Sequence, residues 1–196
     1  PDDSTLMEVE EALSIARDHG DHHAVALATY CLGGVLLERG SSDRRRGRHL
    51  LAEIREMSDH GHFYRSELAV LDLFHARELA RDGHLDIAVD ELRGAGIRVF
   101  QRGQFAHGVV ATRFLVEALL QRDGTDDVPE ADAAIERLAS AGRDDLAVVD
   151  VVVLRLRALL ARARGDDVTF RASLSRCHER ATALGFEGHA AMAQFK

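Results

Sequence analysis

Glycines divide this chain into segments of helical length at nearly constant intervals. They form two interleaved series, with spacings of 43, 41 and 41 residues in one and 41, 42, 39 and 43 residues in the other. The first series is Gly40, Gly83, Gly124 and Gly165, and the second is Gly20, Gly61, Gly103, Gly142 and Gly185. A glycine that follows a helix can adopt the positive φ of a C-terminal cap. The spacing therefore predicts a pair of helices that repeats about every 41 residues, which is the pattern of an α-solenoid.

Residues 154–185 show this unit most clearly. Apolar residues recur every three or four positions on both sides of Gly165, and Asp166 is a residue type that caps the second helix. Each predicted helix has one apolar stripe and needs a neighbour to bury it. The β-branched residues 148–153 would also suit a buried strand, but the glycine spacing and the segment length favour a helix.

The same reading applied to the whole chain predicts ten helices. They cover about 4–19, 22–39, 44–60, 63–82, 85–102 and 104–123, then a helix with Pro129 in its first turn, the two helices of 154–185, and a short closing helix within 186–196. Ser4 or Thr5 is expected to cap the first helix and Asp21 the second. Gly94 and Gly96 are expected to weaken the fifth helix and to kink it.

Small residues recur near the end of the first helix of each pair. They are Gly33, Ala76, Ala118 and Ala158. A small side chain lets two helices approach closely, as in tetratricopeptide (TPR) repeats, although the period here exceeds the 34 residues of that repeat. We therefore predict an all-α fold, a TPR-like α-α superhelix of about four helix pairs, forming a single domain over residues 1–196.

Composition restricts the classes of function. The net charge of −8 argues against a general nucleic-acid binder. Cys31 and Cys177 are far apart and form no disulfide framework, so a reducing compartment is expected. The apolar run 146–154 is too short to span a bilayer and no signal peptide opens the chain, so we expect a cytoplasmic protein.

Because the chain starts at Pro1 and its first helix has no preceding partner, we interpret it as the C-terminal part of a longer protein.

Motifs of catalysis and cofactor binding are absent from the sequence. It contains no GxxxxGK[ST], GxGxxG, HExxH or GxSxG pattern. We therefore expect no enzymatic activity and no cofactor. Five of the 11 histidines cluster at 19–23 and 60–62, but neither cluster has a third ligand at a fixed spacing, so no metal site is predicted.

Binding candidates follow from the predicted superhelix, whose concave surface is lined by the first helix of each pair. The polar and aromatic residues on those helices are Tyr30, Tyr64, Arg65, Glu67, Asp72, His75, Arg113, Glu117, Arg155 and Arg157. A separate basic run consists of Arg44, Arg45, Arg46 and Arg48. Cations oppose the dipole at a helix N-terminus, so this run is either a solvated face or a contact for an acidic neighbouring domain, a nucleic-acid phosphate or a nucleotide.

Five segments resemble recurring strings of one protein family. They are IREM at 54–57, FYRSEL at 63–68, AAIERLA at 133–139, LRLRALLARARGD at 154–166 and ALGFEGH at 183–189. The chain resembles the C-terminal TPR-like region of actinobacterial, especially mycobacterial, signalling proteins. These proteins combine an adenylate/guanylate cyclase domain with an AAA- or STAND-type ATPase, and some relatives end in a LuxR-type helix-turn-helix. The resemblance implies no catalytic residue in this chain.

The sequence and the resemblance together predict a non-catalytic regulatory module. Its expected partners are another protein or the upstream ATPase and cyclase domains of the same polypeptide. One alternative is an effector sensor that binds a small molecule or peptide in a pocket lined by Tyr64, Phe74 and Arg113. Another is a dimerisation module that buries Met192 and Phe195 against a second copy.

Overall fold

The computed structural model describes residues 2–59, 68–141 and 146–193. Within these ranges the protein is all-α, with ten helices packed as sequential antiparallel pairs, consistent with a helical repeat array. The helices are α1 (Asp3–Asp18), α2 (His22–Leu37), α3 (Ser41–Asp59), α4 (Leu68–Arg81), α5 (Leu85–Gln101), α6 (Phe105–Arg122), α7 (Asp127–Ala141), α8 (Ala147–Ala163), α9 (Asp167–Ala183) and α10 (Glu187–Met192). None of them is long and apolar enough to cross a membrane.

The chain divides into two compact units, Pro1–Phe74 and His75–Lys196, and the division falls within α4. In the first unit, α2 packs against both α1 and α3. The crossing of α2 and α3 is close because it is made by two glycines. A Cβ added to Gly47 would lie 2.8 Å from the carbonyl oxygen of Gly33, and one added to Gly33 would lie 2.7 Å from the Leu51 side chain. The close approach predicted for Gly33 is thus confirmed.

Two groups of buried side chains form the core of the first unit. One is built on Leu13, Leu32 and Leu36, between α1 and α2. The other consists of Ala26, Leu37, Leu51, Ile54 and Leu71, with Tyr30, Met57 and Phe74 packed against it. Each apolar stripe is therefore buried by a neighbouring helix, as the sequence pattern predicts.

In the second unit, consecutive helices pack against one another from α5 to α10, and α6 also contacts α8. Contact between α6 and α8 places two first helices of successive pairs side by side. Ala118 and Ala158, the small residues predicted on these helices, are buried, as is Ala76 on α4. At the far end, Cys177 and Ala181 on α9 form a core with Val151, Ala190 and Ala193.

Most of the predicted glycines that the structure describes have the backbone conformation expected at a helix end. Gly20, Gly83, Gly103, Gly165 and Gly185 all have positive φ. Gly40 and Gly124 do not. Before Gly124, Asp123 takes the left-handed conformation at the end of α6, with φ of 56°. Gly61 and Gly142 lie outside the described residues.

The predicted caps are confirmed at Asp21 and Asp166, whose carboxylates accept backbone N–H bonds from the next turn. At α1 the prediction was wrong. Asp2, and not Ser4 or Thr5, is the N-cap, and its Oδ1 accepts from the backbone N–H of Thr5 at 2.8 Å.

Helix boundaries depart from the prediction at α3, which begins at Ser41, three residues before the predicted start. The β-branched residues 148–153 are helical within α8, as favoured. The helix α5 runs through Gly94 and Gly96 without interruption. The predicted start of the fourth helix at 63 lies outside the described residues, as do Phe195 and the side chain of Met192.

Candidate functional site

Arginines on α4, α6 and α8 share one glutamate in the second unit. Oε1 of Glu117 accepts hydrogen bonds from Nε of Arg113 at 3.1 Å and pairs with Nη2 of Arg155 at 3.0 Å. Arg77 is close enough for its charge to lower the pKa of the same carboxyl. We call Arg77, Arg113, Arg155 and Glu117 the arginine cluster. Its members come from the first helices of three successive pairs.

Helix geometry and one aromatic ring position the cluster. Arg113 and Glu117 are four residues apart on α6, so their side chains lie on the same face. The ring of Phe114, which is buried, lies beneath two guanidinium groups. The Cζ atoms of Arg77 and Arg113 are 4.4 Å and 5.5 Å from its centroid. Cation–π contacts of this kind fix the orientation of a guanidinium group.

Burial and like charge act together on Arg77. The residue is only 8% exposed. Burial, followed by the charges of Arg113 and Arg81, lowers its pKa to about 9. The neighbouring Glu78 is buried and forms an ion pair with Nη1 of Arg81 at 2.7 Å. The nearby carboxylates of Glu117 and Glu78 raise the pKa of Arg77, but by less than burial and the two arginines lower it.

The arginines also lower the pKa values of Glu117 and His189. Burial opposes ionisation of Glu117, but the charges of Arg113, Arg155 and Arg77 still lower its pKa. Burial lowers the pKa of His189 on α10, and Arg113 and Arg155 lower it further. Nδ1 of His189 is buried, and no residue that the structure describes forms a hydrogen bond with it. The cluster is thus a partly buried region of excess positive charge, which favours an anion.

The structure brings together three of the residues predicted for the concave surface, namely Arg113, Glu117 and Arg155. Arg157 lies on another face of α8, where it pairs with Glu136 on α7 at 2.8 Å and lines a cleft of about 730 Å³ between α7, α8 and α9. His75 is exposed.

The remaining predicted residues are elsewhere in the first unit or outside the described ranges. Asp72 pairs with Arg55 on α3 at 2.8 Å. Tyr30 is half-buried and packs edge-to-face against Phe74, with ring centroids 6.0 Å apart, so its ring belongs to the core. Tyr64, Arg65 and Glu67 lie outside the described residues.

The basic run of α3 is placed differently from its prediction. Because α3 begins at Ser41, its first turn carries Asp43, and the run starts at the fourth residue of the helix. Arg46 pairs with Glu10 on α1 at 2.7 Å. Arg45 and Arg48 are exposed and Arg44 is half-buried. Arg46 thus links α3 to α1 by an ion pair.

Sequence reasoning missed Arg77, Phe114 and His189. One signal was available for Arg77, which continues the apolar stripe formed by Leu73, Ala76 and Ala80. An arginine in a buried stripe is rare unless it is paired or functional. No comparable signal marked His189, because its approach to α6 and α8 depends on how α10 folds back against α9.

Histidine clusters do not form a metal site in the part of the chain that the structure describes, where no group of three or more His, Cys, Asp or Glu side chains could hold an ion. His60 and His62 are outside that part. A ring nitrogen of His19 lies 2.8 Å from the carbonyl oxygen of Ile15, at the end of α1.

Comparison of the chain with protein-family models, with curated proteins and with solved structures gave no match.

Proposed function

We propose that this chain is a non-catalytic, TPR-like solenoid that binds an acidic segment of a protein partner through the arginine cluster. The observation that carries the proposal is the convergence of Arg77, Arg113 and Arg155 on the single carboxylate of Glu117. Guanidinium groups recognise carboxylates by charge-assisted, often bidentate hydrogen bonds. Since burying such charges costs stability, an incoming carboxylate offsets part of that cost.

The placement of the arginines favours a segment with several carboxylates. The cluster takes its three arginines from helices of successive pairs and gathers them around Glu117, so it presents several guanidinium groups together. An extended acidic peptide can follow such a series of helices, as ligands of repeat proteins do. Glu117 disfavours an anion at one point and thereby sets the position at which carboxylates bind.

In the setting that the family resemblance implies, this binding is regulatory. The partner is then an acidic segment of the upstream ATPase or cyclase domains, or of a separate protein. Occupation of the arginine cluster shifts the equilibrium between two states of the parent protein, provided that the segment binds those states with different affinity.

A pair of variants on α8 tests the binding. The probe is a fluorescein-labelled decapeptide of alternating Glu and Gly, followed by anisotropy at low and physiological salt. Arg155→Gln should weaken binding about tenfold, the loss expected for one charge-assisted contact. The matched control Arg157→Gln removes an equal charge from another face of the same helix and should change affinity less than twofold.

A second peptide, with Gln in place of every Glu, separates charge recognition from general peptide binding. Equal affinity for the two peptides would overturn the proposal. So would equal losses in Arg155→Gln and Arg157→Gln, because the binding would then depend on net charge and not on the cluster.

A further inference from the structure

A cleft of about 540 Å³ lies between α5, α6 and α7 in the second unit. Its walls are largely hydrocarbon, contributed by Leu92, Ile97, Phe100, Leu115, Ala134 and Leu138. Two of these side chains remain open to solvent, with Ile97 58% and Phe100 40% exposed. The volume is within the range of small-molecule sites.

The cleft and the arginine cluster lie on opposite faces of α6. Ala111, Thr112 and Leu115 line the cleft, whereas Arg113 and Glu117 belong to the cluster. At 3.6 residues per turn, these two sets point in roughly opposite directions. A ligand in the cleft would therefore not contact the cluster, and this inference is independent of the function proposed above.

Most polar side chains that line the cleft already form hydrogen bonds within the protein. Thr112 donates its hydroxyl to the carbonyl oxygen of Gly108 at 2.9 Å. Arg93 donates to Glu130 on α7 through Nε at 2.7 Å and to Asp90 through Nη1 at 2.7 Å. The deep part of the cleft thus offers little directional hydrogen bonding, which suits a hydrocarbon body.

Arg137 supplies a charged group at the rim. It is exposed, lines the cleft and forms no ion pair with any residue in the described ranges 2–59, 68–141 and 146–193. Its neighbour Glu136 is paired with Arg157. One available guanidinium beside an apolar trough is complementary to a ligand with one acidic head and an apolar tail.

We propose that this cleft binds a medium-chain fatty carboxylate, with its tail against Ile97, Leu115 and Leu138 and its carboxylate on Arg137. Phe100 forms a wall and packs directly against Gly108, because a Cβ at Gly108 would come within 2.5 Å of the Phe100 ring.

Calorimetry with three probes tests the ligand class, using the whole chain. Decanoate below its micellar concentration should bind, while acetate, which lacks the tail, should not. Decanol, which lacks the charge, should bind about tenfold more weakly than decanoate. Arg137→Gln should reduce decanoate affinity to that of decanol, while Arg171→Gln, an exposed arginine on α9, should have no effect.

Two glycines of α5 provide a test of location. A Cβ at Gly96 would meet Ala111 at an ordinary 3.6 Å, so Gly96→Leu should fold and project into the cleft that Gly96 lines. It should abolish decanoate binding without lowering the melting temperature. Gly94→Leu makes the same change on the same helix outside the cleft lining and should retain binding.

Three results would overturn the proposal. One is the absence of decanoate binding up to about 1 mM, where the binding free energy is only about 4 kcal/mol. Another is equal affinity for decanoate and decanol. The third is unchanged binding in Gly96→Leu, which would place the ligand elsewhere.

Discussion

At the scale of single residues, Arg77 places a charged side chain in a buried position of α4. Its guanidinium is buried on Phe114, and burial and the charge of Arg113 lower its pKa. An apolar side chain at this position would fill the core at a lower cost in folding free energy. Buried charges are often worth less to stability than hydrophobic residues of similar volume.

We therefore predict that Arg77→Met stabilises the chain by about 1 kcal/mol while it weakens binding of the acidic peptide. Methionine keeps the contact with Phe114 and removes the buried charge. Urea unfolding and anisotropy on the same preparation measure the two effects. The control Arg81→Met should instead destabilise, because it removes an ion pair from the buried Glu78. Loss of stability in Arg77→Met would show that Arg77 is structural.

His189 gives a prediction about pH. Its pKa in the folded chain is lowered by burial and by Arg113 and Arg155, so it lies below the value of about 6.5 expected when unfolded. Between these two values the unfolded chain binds more protons, so stability is fully present above about pH 6.5 and is lost as pH falls through the folded pKa. Melting temperatures from pH 7.5 to 5 should fall less steeply in His189→Gln than in the wild type, while His84→Gln, at an exposed position, should keep the wild-type slope. Equal slopes in His189→Gln and the wild type would contradict this assignment.

At the scale of helices, the buried carboxylate of Asp127 stabilises the turn between α6 and α7. Asp127 is 2% exposed, and its Oδ2 accepts from Nε of Arg122 at 3.0 Å and from the backbone N–H of Gly124 at 2.7 Å. These bonds lower its pKa. They link the end of α6 directly to the first turn of α7.

Asp127→Asn should cost about 2 kcal/mol at pH 7, because it converts charge-assisted bonds in a buried site to weaker neutral ones. The stability from Asp127 is present above its unfolded pKa of about 3.9 and is lost as pH falls through the folded pKa, so the difference from the wild type should shrink in strong acid. Chemical denaturation at pH 7 and pH 3 measures it. Asp126→Asn, at the exposed neighbouring position, is the control. A difference that does not depend on pH would rule out the ion pair as the cause.

The α2–α3 crossing gives a second prediction at this scale. Gly47→Ala should destabilise by about 1–3 kcal/mol, since its Cβ would press on the backbone of Gly33 and Leu37. Gly34→Ala, on the other hand, meets only the Phe74 ring at 3.4 Å and gains helix propensity, so it should be neutral or stabilising. Thermal unfolding of the two variants compares them, and equal stability would disprove the close crossing.

Local chemistry explains how much of this architecture was predictable. Asp21, Asp166 and the five glycines with positive φ act within one turn of the chain, so sequence spacing identified them. Asp123 was missed because an aspartate can replace glycine in the left-handed region. Arg113 and Glu117 were found because they lie on a first helix. The convergence of Arg77, Arg155 and His189 on them depends on packing between helices, which no local pattern encodes.

At the scale of the whole molecule, the first helices of successive pairs bring their cations to one place. α6 contacts α8, and Arg155 reaches Glu117 across that contact. Each helix contributes one arginine to the cluster, so the cluster forms only when the three helices are assembled. Under the proposed function, an acidic ligand should therefore raise the melting temperature by mass action.

The most direct test of acidic-segment binding to the arginine cluster is an arginine-selective NMR titration with the Glu-Gly decapeptide. The Nε–Hε signals of Arg77, Arg113 and Arg155 should shift together with one midpoint, while that of Arg157 remains in place. Such a result would locate the acidic segment on the arginine cluster. A titration in which Arg157 and other exposed arginines shift, and the three cluster signals do not, would contradict it.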